Sequence, residues 1–128
     1  MIRSIQPRKQ RLFRYTAALH MRQKMVGAHL DKSLRNLYHR RSMPVRKGDG
    51  VIVTRGTFRG TKGTVTKVDL TRLKVYVDTA KRKRASGQET EIALDPSNIT
   101  ILKLVVEDAK RKKSLTRTKG ERHETQTT

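Results

Sequence analysis

The chain has 128 residues, of which 34% are hydrophobic and only 4% aromatic, too few to bury a core along its whole length. Thirty-one Lys and Arg against eleven Asp and Glu leave a net charge of +20. This self-repelling balance asks for a polyanionic partner, nucleic acid first and an anionic membrane surface second. No apolar run approaches the ~18 residues of a membrane span, and the N-terminal residues lack the apolar core of a signal peptide.

Charge is unevenly spread. Residues 1–47 carry thirteen cations and one acid, Asp31, a net of +12. Residues 48–102 carry ten cations against six acids, and residues 103–128 eight against four, so each adds +4. With the strand pattern described below, this divides the chain into a basic N-terminal extension with short helices (1–44), a β module (45–102) and a charged C-terminal tail (103–128).

The extension opens with QPRKQRLFRY, Gln6–Tyr15, which has a proline, few apolar residues and no clear period, and reads as an extended basic arm. A short helix is expected from about Ala17, with Leu19, Met25 and Val26 on its apolar side and Gly27 marking its end. A second should run from Asp31, a good N-cap, through Tyr38, since Leu34, Leu37 and Tyr38 follow the i, i+3, i+4 spacing. Neither is long enough to stand alone, so both depend on packing or on a bound surface. Residues 1–44 are expected to be largely disordered without a partner, whereas 45–102 should fold in isolation.

The middle of the chain alternates differently. GDGVIV, GTVTKVD, LKVYVD, ETEIAL and ITIL are five short, β-branched-rich stretches separated by turn residues. Their inward candidates are Val51, Val53, Val65, Val68, Val75, Val77, Ile92, Leu94, Ile99 and Ile101. Five strands in so few residues are too small for a sandwich but suffice for a small barrel. Asp95-Pro96-Ser97-Asn98 reads as a tight turn before the last strand. Past Lys103 the sequence turns polar, with a turn or two of helix near Glu107–Lys113 and final residues expected to order only on a partner.

The stretch VRKGDGVIVTRGTFRGTKGTVTKVD carries the strongest signal. A strand from Val51 runs into Gly56, Gly60 and Gly63 and then into a second strand, with Arg55, Arg59, Lys62 and Lys67 and no acid between Thr54 and Val68. Glycines that permit positive φ and close approach, with cations at one edge of a barrel, suit phosphate contact by amides and side chains together. The spacing resembles the KOW motif of ribosomal proteins and transcription elongation factors, with Arg59 where lysine usually precedes the second glycine. A small SH3-like barrel is what that resemblance implies. The fold expected is therefore mainly β: a KOW barrel with a basic N-terminal arm, two short helices and a charged tail.

The flanks narrow the resemblance. QPRKQR, LHMRQKMVGAHL, DKSLRNLYHRRSMPVRKGD, VYVD and DPSN are similar to the universal large-subunit ribosomal protein family numbered twenty-four in bacteria and archaea and twenty-six in eukaryotes. The likeness covers roughly residues 6–113 and is nearest the archaeal–eukaryotic branch; the chain departs from it over Thr79–Glu91 and beyond Ser114. It implies binding to large-subunit ribosomal RNA, early in assembly, on the solvent side near the exit of the polypeptide tunnel, among neighbouring ribosomal proteins. It implies a cytoplasmic ribosome, with a nucleolar stage if the source is eukaryotic. By match of motifs it implies RNA contacts from Arg8, Lys9, Arg11 and Arg14 in the arm, and from Arg22 and Lys24 in the first helix. Arg40, Arg41, Arg46 and Lys47 before the barrel are implied in the same way.

Charge adds the loop cations Arg55, Arg59, Lys62 and Lys67 and the run Lys81, Arg82, Lys83 and Arg84. That run reads either as a basic hairpin tip lying against RNA or as a nuclear-import signal, and the two are compatible. Phe13 and Tyr15 are suited to stacking on an unpaired base; the remaining aromatics, Tyr38, Phe58 and Tyr76, are read as packing residues.

Other functions fit less well. Cysteine is absent, and His20, His29, His39 and His123 have no metal-site spacing, so no metal, cofactor or small-molecule substrate is expected. The acids of the middle region, Asp49, Asp69, Asp78, Glu89, Glu91 and Asp95, sit mostly at turns or strand ends without a paired partner, which argues against an enzyme. A KOW elongation factor is the main competitor, but such factors usually carry a separate α/β domain ahead of the motif. A membrane-surface protein would need a longer apolar helix face.

Overall fold

Residues 4–117 are described by the computed structural model. The first element corrects an expectation: the basic arm is not extended but helical, α1 over Pro7–Thr16. Pro7 opens it without losing a needed amide, and Arg8–Arg14 contains only helix-tolerant residues with no β-branched member. No residue of α1 is buried, so the missing apolar period reflects an exposed helix rather than an extended strand.

Helix α2 spans Leu19–Met25, beginning two residues beyond the expected start because Ala17 and Ala18 are extended. Helix α3, Lys32–Tyr38, starts where expected. The Asp31 carboxylate accepts from the Ser33 hydroxyl (3.0 Å) and amide (3.5 Å), and His39 closes the helix in the left-handed region. The Ser33 hydroxyl first, and the nearby amides after it, hold the Asp31 carboxyl below the usual carboxylate range.

All five anticipated strands form, and two more join them. In chain order the strands are β1 (Gly27–Leu30), β2 (Ser42–Pro44), β3 (Gly50–Val53), β4 (Lys62–Asp69), β5 (Lys74–Lys83), β6 (Glu89–Leu94) and β7 (Ile99–Lys103). They make one seven-stranded sheet ordered β2-β1-β7-β3-β4-β5-β6. Strand β1 lies parallel to β7, pairing Leu30 with Ile101, while the remaining pairs are antiparallel. A short 3-10 turn, Pro96–Asn98, stands where the tight turn was expected.

The sheet curls around one apolar cluster. Of the inward candidates, Val51, Val53, Val65, Val75, Val77, Ile99 and Ile101 are buried; Val68, Ile92 and Leu94 are half-buried. Val26, Ala28, Leu30 and Met43 enter the same cluster from the segment read as an extension. The division at residue 44 therefore does not fall at a packing boundary, because residues 26–44 complete the barrel core.

Curvature comes from irregular pairing. Thr66 is an extra residue opposite β5 and donates its hydroxyl to the Tyr76 carbonyl, 3.2 Å. Further along, β5 leaves its register with β6 between Tyr76 and Lys81. At that bend the Asp78 carboxylate accepts from the Thr64 amide at 2.9 Å.

The C-terminal segment is not simply a charged tail. Helix α4 covers Ala109–Thr116, and the Asp108 carboxylate caps it by accepting from the Lys110 amide. Leu115 joins the core, and Arg111, 3% exposed, reaches Asp49, which is fully buried. The guanidinium grips both carboxylate oxygens, at 2.8 and 2.6 Å, and also donates to the Val105 and Pro44 carbonyls. Asp49 further accepts from the Arg46 and Val105 amides at 2.9 and 3.1 Å. The middle-region acids are thus not without partners: Asp95 also pairs with Lys74 at 2.7 Å and Glu89 with Lys81 at 3.7 Å. The final residues expected to order only on a partner lie outside the described residues.

Arg111→Met should destabilise the protein by about 3–5 kcal/mol, because it leaves a buried carboxylate uncompensated. Urea denaturation checks this, and a change below about 1 kcal/mol would contradict this account of the pair. The isolated 45–102 fragment lacks Leu30, Met43, Leu115 and the partner of Asp49. Contrary to the expectation from sequence, it should show no cooperative thermal transition by circular dichroism, whereas the full chain should show one.

Candidate nucleic-acid interface

The loop between β3 and β4, residues 54–61, is built as a rigid projection. Gly60 donates to the Val53 carbonyl (2.8 Å), Arg59 to Gly56 (3.1 Å) and Thr61 to Phe58 (3.1 Å). Thr54 anchors its base to the Asn98 carbonyl through amide and hydroxyl. These internal bonds alter one expectation: the amides of Arg59, Gly60 and Thr61 are already committed to loop carbonyls. The side chains of Arg55, Arg59 and Lys62 stand exposed around them.

The three glycines serve two different needs. Gly56 (φ 94°) and Gly60 (φ 87°) occupy the left-handed region, with open space where a side chain would stand. Gly63 does not have positive φ. A Cβ there would collide with Asp78 Oδ1 and come within 2.6 Å of Val77 Cγ1, so glycine lets the bend of β5 lie against β4.

Placement separates the sequence-derived cations into two sets. Arg8, Lys9, Arg11 and Arg14 stand exposed on α1, Lys24 on α2, and Arg41 and Lys47 beside β2 and β3. Lys67 is exposed on β4, its ammonium 6.0 Å from the centre of the Tyr76 ring. Lys81, Arg82 and Lys83 end β5, and Arg84 forms the tip, bonded to Gln88 and Gly87. The run thus leads into the turn of the β5–β6 hairpin, with Lys81 paired to Glu89.

The second set is engaged within the protein. Arg22 donates to the Tyr15 and Thr71 carbonyls, and Arg40 to the Arg117 carbonyl and Ser114 hydroxyl. Arg46 pairs with Asp108 at 2.6 Å. The Lys110 amide first, then Arg46, hold the Asp108 carboxyl below its ordinary range. These three arginines brace the fold; matching charge along a sequence cannot distinguish a brace from a free contact.

Sequence reasoning also missed Arg72, which lines a cleft with Arg11 and Arg14. The only local signal was the turn DLTRL, in which Asp69 caps the amides of Thr71 and Arg72 at 2.9 and 3.1 Å. Among the described residues, no group of His, Asp and Glu is arranged to hold a metal ion. No helix there is long and apolar enough to cross a membrane.

A curled, glycine-turned sheet surrounded by exposed cations defines the KOW-type barrel class. The family model that unites eukaryotic ribosomal proteins L26 with their archaeal counterparts, numbered twenty-four, matches residues 4–118. Large ribosomal subunit protein uL24 of Pyrobaculum islandicum is 42% identical over 118 residues, 92% of this chain and 96% of the relative. The protein of the same name from Methanosphaera stadtmanae is 46% identical over 98 residues, 77% and 84% of the two chains. The chain belongs to this family of large-subunit ribosomal proteins of archaeal–eukaryotic type, whose members are structural components and not enzymes.

Gly63→Val should cost more stability than Gly60→Val. The first collides with Val77, Asp78 and Thr79 of β5, whereas the second adds only backbone strain of about 1–3 kcal/mol. Thermal melts of both variants test the order, and equal shifts would refute the division of roles.

Proposed function

We propose that the protein is a structural constituent of the large ribosomal subunit that binds large-subunit ribosomal RNA through phosphate neutralisation. It joins early in assembly, on the solvent side near the tunnel exit, in the cytoplasm and with a nucleolar stage if the source is eukaryotic. The observation that carries this reading is α1: four sequence-derived cations stand exposed on a helix that buries nothing. Such a helix gains little from burial in the core, so a polyanion is the natural counterpart.

The barrel sets the register, while α1, the 54–61 loop and the β5–β6 tip extend its cationic reach. Lys and Arg release counterions from RNA, and selectivity comes from RNA shape and unpaired bases more than from base-by-base reading. Family membership displaces the elongation-factor alternative. Lys81–Arg84 retains its second role as an import signal, to be tested by fusing the run to a reporter in eukaryotic cells.

With six to ten phosphate contacts, affinity for large-subunit RNA should fall by about 10³–10⁵ between roughly 50 and 200 mM salt. A nearly flat titration would exclude a phosphate-dominated mechanism. Replacing Arg8, Lys9, Arg11 and Arg14 by Ala should lower the salt slope by about 3–4 units while leaving the barrel folded. Removing residues 118–128 should matter less for incorporation into the subunit on a sucrose gradient. The reverse ranking would show that the α1 cations are not the main anchor.

A further inference from the structure

Between α1 and the turn joining β4 to β5 lies a cleft of about 470 Å³, lined by Arg11, Arg14, Tyr15, Thr71, Arg72 and Leu73. Its size falls within the ~300–1,000 Å³ typical of small-ligand sites. Three guanidinium-bearing residues and an aromatic line it, with no acid. Asp69, the nearby carboxylate, commits Oδ1 to the Thr71 and Arg72 amides.

Both walls are held in place. The Arg22 guanidinium bridges them, donating to the Tyr15 carbonyl on one side and the Thr71 carbonyl on the other. On the turn side Leu73 is held at φ 56° with its side chain buried, which fixes the backbone that carries Arg72. Tyr15, by contrast, is 77% exposed. Helical i, i+4 spacing sets Arg11 on the same side of α1 as that ring, and Arg14 lines the same cleft. The fold gives the ring little cover, although it stands among three cations.

We infer that this cleft takes one unpaired nucleotide of RNA, its base stacked on Tyr15 and its flanking phosphates held by Arg11, Arg14 and Arg72. The inference rests on the RNA-binding reading above and gives it a specific contact. The stacked interior of a duplex cannot present a base face to Tyr15, so the site selects single-stranded or bulged RNA. Phosphate contacts elsewhere on the molecule do not make that distinction.

The chain contains no tryptophan, so Tyr15→Trp provides a single reporter at the cleft. The full-length variant is titrated with an eight-nucleotide single-stranded RNA, with a duplex of equal length, and with a glutamate-rich peptide of matched charge. Anisotropy of labelled probes reports binding, and tryptophan emission reports stacking. The single strand should quench emission saturably, while the duplex binds without quenching. Tyr15→Ala should weaken single-strand binding by about 5- to 150-fold, the range expected for one base–aromatic stack, and leave duplex affinity unchanged. Arg72→Ala should weaken single-strand binding and lower its salt slope by about one.

Single-strand binding without quenching, or equal loss of both RNAs in Tyr15→Ala, overturns the cleft while leaving the general RNA reading intact. Quenching by the peptide as strong as by RNA overturns it in favour of a protein ligand. If neither RNA binds, the cleft and the broader reading fall together.

Discussion

Burial of Asp49 is the constraint on which the arrangement of the chain depends. Its two oxygens accept four hydrogen bonds, two from Arg111 and two from the backbone amides of Arg46, between β2 and β3, and Val105, after β7. An apolar pair of similar volume can pack as well in energy terms, but it would accept any apolar side chain of α4. A fully bonded carboxylate accepts only the geometry that brings Arg111 to it. The neighbouring Arg46–Asp108 pair ties down the same junction. Together these contacts turn a highly charged C-terminal sequence into a docked helix.

A chain of net charge +20 has few acids, and it devotes several of them to structure. Asp49 holds α4, Asp108 caps it, Asp31 caps α3, Asp78 fastens the bend of β5 and Asp69 shapes the β4–β5 turn. Among the described residues, no salt bridge takes up a cation of α1 or of the 54–61 loop. Positive field is therefore concentrated where the backbone projects, and the electrostatic and architectural tasks of the sequence fall on different residues.

What could be read without coordinates was whatever has a short period or a strong local preference. The β-branched alternation of Val51, Val53, Val65, Val75 and Val77 located the core strands, and Asp31 located a helix start. Strands β1 and β2 escaped notice because they are four and three residues long, contain Gly27 and Pro44, and owe their burial to distant partners. Helix α1 was missed because a helix with no buried face leaves no apolar stripe to detect. The cationic region was legible from charge, but the roles of Arg22, Arg40 and Arg46 were not. Whether a guanidinium meets a carbonyl of its own chain depends on contacts up to 77 residues away.

The parallel pairing of β1 with β7 has a consequence for synthesis. Leu30 cannot meet Ile101 until the intervening strands have been made and have curled, and Asp49 waits longer still for Arg111. On an elongating chain the first third emerges earliest and completes its packing last. Throughout that interval its thirteen cations within residues 1–47 are unencumbered by a finished fold. A polyanion met at that stage encounters a pliable basic segment, and closure of the barrel by β7 and α4 then locks the strands behind it.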